Sequence, residues 1–102
     1  MYGLIGKVTA TPGSRERLAA VLLEGTVAMP GCLSHVVAEA PADADALWVT
    51  EVWDSAESHR ASLQLPAVQA AVQRGRPLIA GFGSRTETRP LGGVGLPPRA
   101  AG

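Results

Sequence analysis

Short β-leaning stretches alternate along this chain with stretches whose apolar residues recur at helical spacing. Residues 2–10 are apolar and predict a first strand, with Leu4 and Val8 on one face and Lys7 and Thr9 on the other. Thr11-Pro12-Gly13 is turn chemistry, and Ser14 is a suitable helix N-cap. From Arg15 onward, Leu18, Val21, Leu22 and Met29 fall on one helical stripe, with Ala19 and Leu23 at its edge and Arg15, Glu16 and Glu24 off it. This helix is expected to stop at Met29-Pro30-Gly31, because a proline disfavours the α conformation of the residue before it.

Residues 32–40 predict a second strand and residues 41–46 a surface loop. Residues 47–53 (Leu-Trp-Val-Thr-Glu-Val-Trp) predict a third strand, rich in β-branched and aromatic residues. This strand hands directly into a short helix from Ser55 to about Leu63. Either Asp54 or Ser55 suits its N-cap, and Asp54 with Glu57 forms a capping-box-like pair. Pro66 suits the first position of a further helix, with Val68, Ala71 and Val72 as its stripe and Gly75 and Pro77 ending it. In residues 81–89, Phe82, Ser84, Thr86 and Thr88 alternate with Gly83, Arg85, Glu87 and Arg89, a last strand. The stretch 90–102 is rich in Gly and Pro and reads as a flexible C-terminal tail following a folded domain of residues 1–89.

The order β-α-β-β-α-α-β predicts an α+β, ferredoxin-like fold: a four-stranded antiparallel sheet with helices on one face. The third strand is apolar on both faces, with Trp48 and Val52 on one and Val49 and Trp53 on the other. Helices can cover only one of them, so a homodimer with two sheets packed face to face is expected. Trp48 is then assigned to the dimer core.

Composition narrows the function. The 102 residues are 46% hydrophobic and 18% charged, with zero net charge. That balance suits a domain with a core and offers no basic surface for nucleic acid or an anionic membrane. No stretch approaches a membrane span, and no basic region precedes the apolar N-terminal stretch, so no secretory leader is expected. The single cysteine, Cys32, excludes an internal disulfide and suits a reducing cytoplasm. It reads as a small buried apolar residue.

His59 is the best candidate for a general base, since imidazole is the side chain that ordinarily titrates nearest neutral pH. The alternative is a helix-surface histidine beside Arg60. Trp53 suits stacking on an aromatic ligand and donating its indole N–H, or plain core packing, and the two roles are compatible. Glu51 shares a strand face with Trp53 and Val49, so it is either a pocket carboxylate or a salt-bridged structural one. Arg74 and Arg76 are candidates for holding an anion, against solvated surface arginines. Tyr2 and His35 are weaker candidates, and a hydrogen-bonded structural role is expected for His35. Two widely separated histidines argue against a dedicated metal site. Gly81-Phe82-Gly83 lacks the strand–loop–helix context of a dinucleotide fingerprint, and no Gly-x-Ser-x-Gly elbow is present.

Several pieces occur together in a telling order: Pro30-Gly31-Cys32 opening the second strand, Glu51-Val52-Trp53 closing the third, Ser55 through His59 opening the short helix, and Pro66-Ala67-Val68-Gln69 beginning the next. In this order and spacing, over residues 2–89, the chain resembles the antibiotic biosynthesis monooxygenases of the dimeric α+β-barrel superfamily. The resemblance implies a small homodimer with a pocket in each subunit between sheet and helices. It also implies oxidation of a hydroxylated aromatic or quinol, polyketide-like substrate by O2 without flavin, metal or other cofactor. His59 and Trp53 would then be catalytic, and Glu51, Val49 and Arg74 would contact substrate. Haem-degrading relatives combine an asparagine, a tryptophan and a histidine. This chain has no asparagine, and its histidine sits earlier on the helix, so haem degradation is not expected. A non-catalytic aromatic-ligand-binding protein or a cyclase-like protein of the same fold are the alternatives.

Overall fold

The computed structural model describes residues 1–97. Four strands and three helices follow one another as β1 (Tyr2–Ala10), α1 (Arg15–Gly25), β2 (Cys32–Glu39), β3 (Ala46–Trp53), α2 (Ala56–Ser62), α3 (Pro66–Gly75) and β4 (Ile79–Thr88), with a 3₁₀ turn at Arg76–Leu78 before β4. The strands form one antiparallel sheet in the order β2-β3-β1-β4, which is the expected ferredoxin-like arrangement. After β4 the chain has neither helix nor strand as far as Pro97; the end of the expected tail, residues 98–102, lies outside the described residues. No helix among the described residues is long and apolar enough to cross a membrane.

The two central strands carry the core. Leu4, Val8 and Ala10 of β1 alternate inward, as do Leu47 and Trp53 of β3, and all five are buried together with Leu18 of α1. Sequestering a leucine such as Leu18 or Leu47 contributes about 1.5–3 kcal/mol. Trp48 and Val52 point to the other face, where Ile5 and Val36 are exposed. Lys7 lies over the Trp48 ring there, its Nζ 5.9 Å from the ring centroid.

Several local expectations are corrected. Helix α1 ends at Gly25, not at Met29-Pro30-Gly31. The Thr26 hydroxyl takes over the helix-terminal carbonyls, donating to the oxygens of Leu22 (2.9 Å) and Leu23 (3.3 Å). Gly25 also lets α1 approach α3 closely: a Cβ there would lie 2.4 Å from that of Ala71. Ser14 sits at the N-cap position of α1 without capping through its side chain; its hydroxyl instead accepts from Thr11 at 2.8 Å. At α2 the capping pair is Ser55 with Ser58, not Asp54 with Glu57. Ser55 Oγ accepts the Ser58 N–H at 3.1 Å, while Asp54 accepts from the Ser55 hydroxyl at 3.2 Å. The Ser58 and Ser55 hydroxyls hold the Asp54 carboxyl below its ordinary range.

Two bulges alter which side chains share a face. Between Cys32 and Ser34 one residue of β2 is unpaired, so His35 lies opposite Glu51 rather than opposite Thr50. In β4 the register slips between its pairings with Gly6 and Val8, so Phe82 and Arg85 share the helix-side face. The simple alternation that grouped Phe82 with Thr86 and Thr88 does not hold.

Candidate active site between sheet and helices

A cavity of about 600 Å³ opens between the helices and the inner face of the sheet. Leu18 and Leu22 of α1, Val68 and Val72 of α3, and Leu4 and Val49 of the sheet make it mostly apolar. It runs into a second space of about 570 Å³ that shares Leu18, Leu22, Val68, Val72 and Phe82. Met29 reaches the first cavity from the loop that follows α1.

Several polar groups of the cavity gather where β3 passes into α2. Trp53, the last residue of β3, is buried, and its Nε1–H donates to Glu51 Oε1 at 3.1 Å. Because Ser55 caps α2 at once, His59 arrives one turn into the helix and returns over the tryptophan. The two rings meet edge to face, with centroids 5.4 Å apart and planes at 69°. Tyr2 flanks His59 from β1 at 5.6 Å. Its phenol donates to Glu87 Oε1 at 2.8 Å, and that carboxylate pushes the phenol's pKa up. Ser62, buried in the cavity wall, donates to the His59 carbonyl at 2.6 Å and so ties the last turn of α2 to the histidine. A ring of that size and polarity can hold a flat aromatic ligand, with an imidazole and a carboxylate in reach of its oxygens.

Of the residues singled out from the sequence, His59, Trp53, Glu51 and Val49 line this one cavity. Arg74 does not. It is exposed on α3, and its Nη2 lies 3.6 Å from Glu24 Oε2, an ion pair between α3 and α1. Arg76 borders only the second space. Cys32 is half-buried at the start of β2, where burial pushes its thiol up and leaves it a poor nucleophile.

His35, a weaker candidate from the sequence with a hydrogen-bonded structural role expected, belongs to the cavity as well. It lines the cavity opposite Glu51, with Nε2 4.0 Å from Glu51 Oε1. Its Nδ1 is buried with no hydrogen-bond partner among the described residues, so the hydrogen-bonded structural role expected for it is not met at that atom. Burial holds the imidazole below its ordinary value, with the Glu51 charge opposing. A bulge on the preceding residues is what turns it inward, and strand alternation carries no sign of one. Among the described residues, no group of three or more His, Cys, Asp or Glu side chains gathers as metal ligands would.

Comparison with known proteins agrees with this architecture. The profile of the family described as antibiotic biosynthesis monooxygenase matches residues 1–74. A crystal structure from Chloroflexus aurantiacus, provisionally named an antibiotic biosynthesis monooxygenase, is 61% identical, covers 94% of this chain and 98% of its own, and superposes with a TM-score of 0.92. One from Deinococcus radiodurans with the same provisional name is 21% identical, with coverages of 92% and 96% and a TM-score of 0.73. A Pseudomonas aeruginosa structure is 19% identical, with coverages of 89% and 94% and a TM-score of 0.77. These two share the fold. No protein of curated function matches significantly. With the family profile covering most of the chain and its monooxygenase-type fold seen here, the protein belongs to the antibiotic biosynthesis monooxygenase family.

Proposed function

We propose that the protein is a cofactor-independent monooxygenase that oxidises a hydroxylated aromatic or quinol, polyketide-like substrate with O2. The observation that carries this reading is the meeting of His59, Trp53 and Glu51 in one apolar cavity of about 600 Å³. His59 takes the phenolic proton, because a phenolate gives an electron to O2 far more readily than a phenol does. Trp53 and Val49 bound the ring, and Glu51 accepts from its hydroxyl as the substrate binds, before His59 removes that proton. The apolar walls keep water from the radical pair that follows. For a phenol the balance is closed without a further reductant: one oxygen atom enters the ring, the other leaves as water, and the ring ends as a quinone.

The reading includes a homodimer. The outer sheet face presents Trp48, Val52, Ile5 and Val36 together, and a second copy of the same face is the economical cover for it. The cavity lies on the other face and stays open in such a dimer.

Oxygen uptake by the purified, metal-stripped protein, with a panel of dihydroxynaphthalenes and dihydroxyanthracenes, tests the proposal. Uptake above the spontaneous rate is expected, falling on the order of 10²–10⁴-fold in His59→Ala, as for loss of a general base. Uptake unchanged in the variant would remove His59 from the mechanism. Ligand binding without uptake would replace the oxygenase with a binding or cyclase-like protein of the same fold.

A further inference from the structure

Glu51 brings into the cavity a carboxylate of which one oxygen is held by a hydrogen bond and the other is not. Its Oε1 takes the Trp53 N–H at 3.1 Å. No hydrogen bond from the described residues reaches its Oε2, although Glu51 lines the cavity and its side chain is only 19% exposed. His35 faces it across the β2–β3 register without closing a hydrogen bond, Nε2 standing 4.0 Å from Oε1. Burial keeps the His35 ring neutral at neutral pH, so it does not cancel the carboxylate charge.

Two hydroxyls of the cavity wall are spent within the protein. The Ser62 hydroxyl goes to the His59 carbonyl and the Thr26 hydroxyl to the end of α1. Ser84 and Arg85 line the cavity from the exposed edge strand β4, His59 lines it beside Trp53, and Lys7 Nζ lies over Trp48 on the opposite sheet face. A carboxylate has no proton to give. At Glu51 Oε2 itself, a ligand oxygen that brings a proton is satisfied and one that brings only lone pairs is opposed.

We infer that the cavity selects the reduced, hydroxyl-bearing form of its aromatic ligand over the oxidised, carbonyl-bearing form, through the free Oε2 of Glu51. A ring hydroxyl donates to Oε2 and forms a charge-assisted hydrogen bond. A quinone carbonyl at the same place sets lone pairs against lone pairs in a low-dielectric space. Resting on the proposed oxygenase reading, this gives the device a use: forming the quinone consumes the O–H that held the substrate, so the product loses its anchor and leaves.

Equilibrium dialysis of the full chain under nitrogen tests the inference. The probes are a naphthoquinone methylated at both of its free quinone carbons, so that Cys32 cannot add to it, and the same compound reduced to the quinol. The wild type is expected to bind the quinol about 10–100-fold more tightly than the quinone. Glu51→Gln keeps an oxygen for Trp53 but offers an N–H₂ in place of Oε2, so its preference is expected to collapse toward unity or reverse. A wild type that binds both forms equally, or binds neither, overturns the inference whatever the variant does. A selective wild type whose Glu51→Gln variant keeps the full preference overturns the assignment to Glu51. Oxygen uptake without selectivity leaves the proposed reaction standing and sinks this inference; selectivity without uptake does the reverse.

Discussion

Trp53 and His59 meet edge to face, 5.4 Å between ring centroids, across the junction where β3 ends and α2 begins. The contact follows from an abrupt handover: two residues, Asp54 and Ser55, separate strand from helix, and Ser55 caps the helix at once. The floor and one wall of the cavity are therefore fixed by a single continuous piece of chain. Its opposite end is pinned as well, because the Asp54 N–H donates to the Gly31 carbonyl at 2.9 Å. Gly31 has a positive φ of 84° and no room for a Cβ, which would lie 2.5 Å from Ser58 Oγ. The turn into β2 and the start of α2 thus lock together.

The Trp53 N–H is the donor that holds Glu51 in place. Trp53→Phe keeps an aromatic ring but removes this donor and part of a fully buried side chain. Urea denaturation is expected to show a loss of about 2–4 kcal/mol. A change under about 0.5 kcal/mol would show that the Trp53–Glu51 bond adds nothing to stability.

Gly25 and Ala71 set the separation of α1 and α3, which is the width of the cavity between their stripes. Gly25→Ala brings two Cβ atoms to 2.4 Å and must push the helices apart. A destabilisation of about 1–3 kcal/mol is expected from this overpacking. Ala71→Gly in the same chain removes the clash, so the pair is expected to lose less than the sum of the single changes. Additive losses would place the cost elsewhere, in helix propensity or loop strain.

His35 makes stability depend on pH in a defined direction. Its folded-state pKa is lowered from the ordinary 6.5, with burial the larger cause and the Glu51 charge opposing. The unfolded chain therefore takes up this proton at higher pH than the folded chain does. Stability from this group is complete above about pH 6.5 and is lost as pH falls from there through the folded value. Thermal melts between about pH 7.5 and 5 are expected to show a slope that His35→Gln reduces. An equal slope in the two proteins would remove His35 as its source.

The proposed dimer has an equally direct check. Sedimentation of the wild type is expected to give twice the 10.5 kDa chain mass. Val52→Glu, on the outer face and away from the cavity, is expected to give the single-chain mass. A wild type that sediments as one chain would leave Trp48, Val52, Ile5 and Val36 without the cover proposed for them.

The element order was legible in the sequence because each element carries its own local signal. Residues 47–53 are β-branched and aromatic, Leu18 and Leu22 keep helical spacing, Pro66 opens a helix, and Ser55 can cap one. Period-two alternation likewise put Val49, Glu51 and Trp53 on one face of β3 and Trp48 and Val52 on the other, as observed. Apart from the choice of capping groups, what failed mostly depended on a partner far along the chain. Whether α1 ran on to Met29 was decided by a local contact, the Thr26 hydroxyl on the Leu22 carbonyl, and by the close packing of Gly25 on Ala71, which exists only once α3 has folded back. The direction of His35 was decided by one unpaired residue in β2, and the grouping of Phe82 with Arg85 by a slip in β4, since a one-residue shift in register exchanges the two faces of a strand. Likewise, the 4.0 Å approach of His35 to Glu51 and the His35 Nδ1 left without a hydrogen bond among the described residues arise from side chains that meet only across the assembled sheet. The sequence determined which elements form and which faces are apolar, because those are properties of neighbouring residues. Only the tertiary structure decided which polar groups share the cavity, because register, bulges and helix ends are settled by contacts between segments distant in the chain.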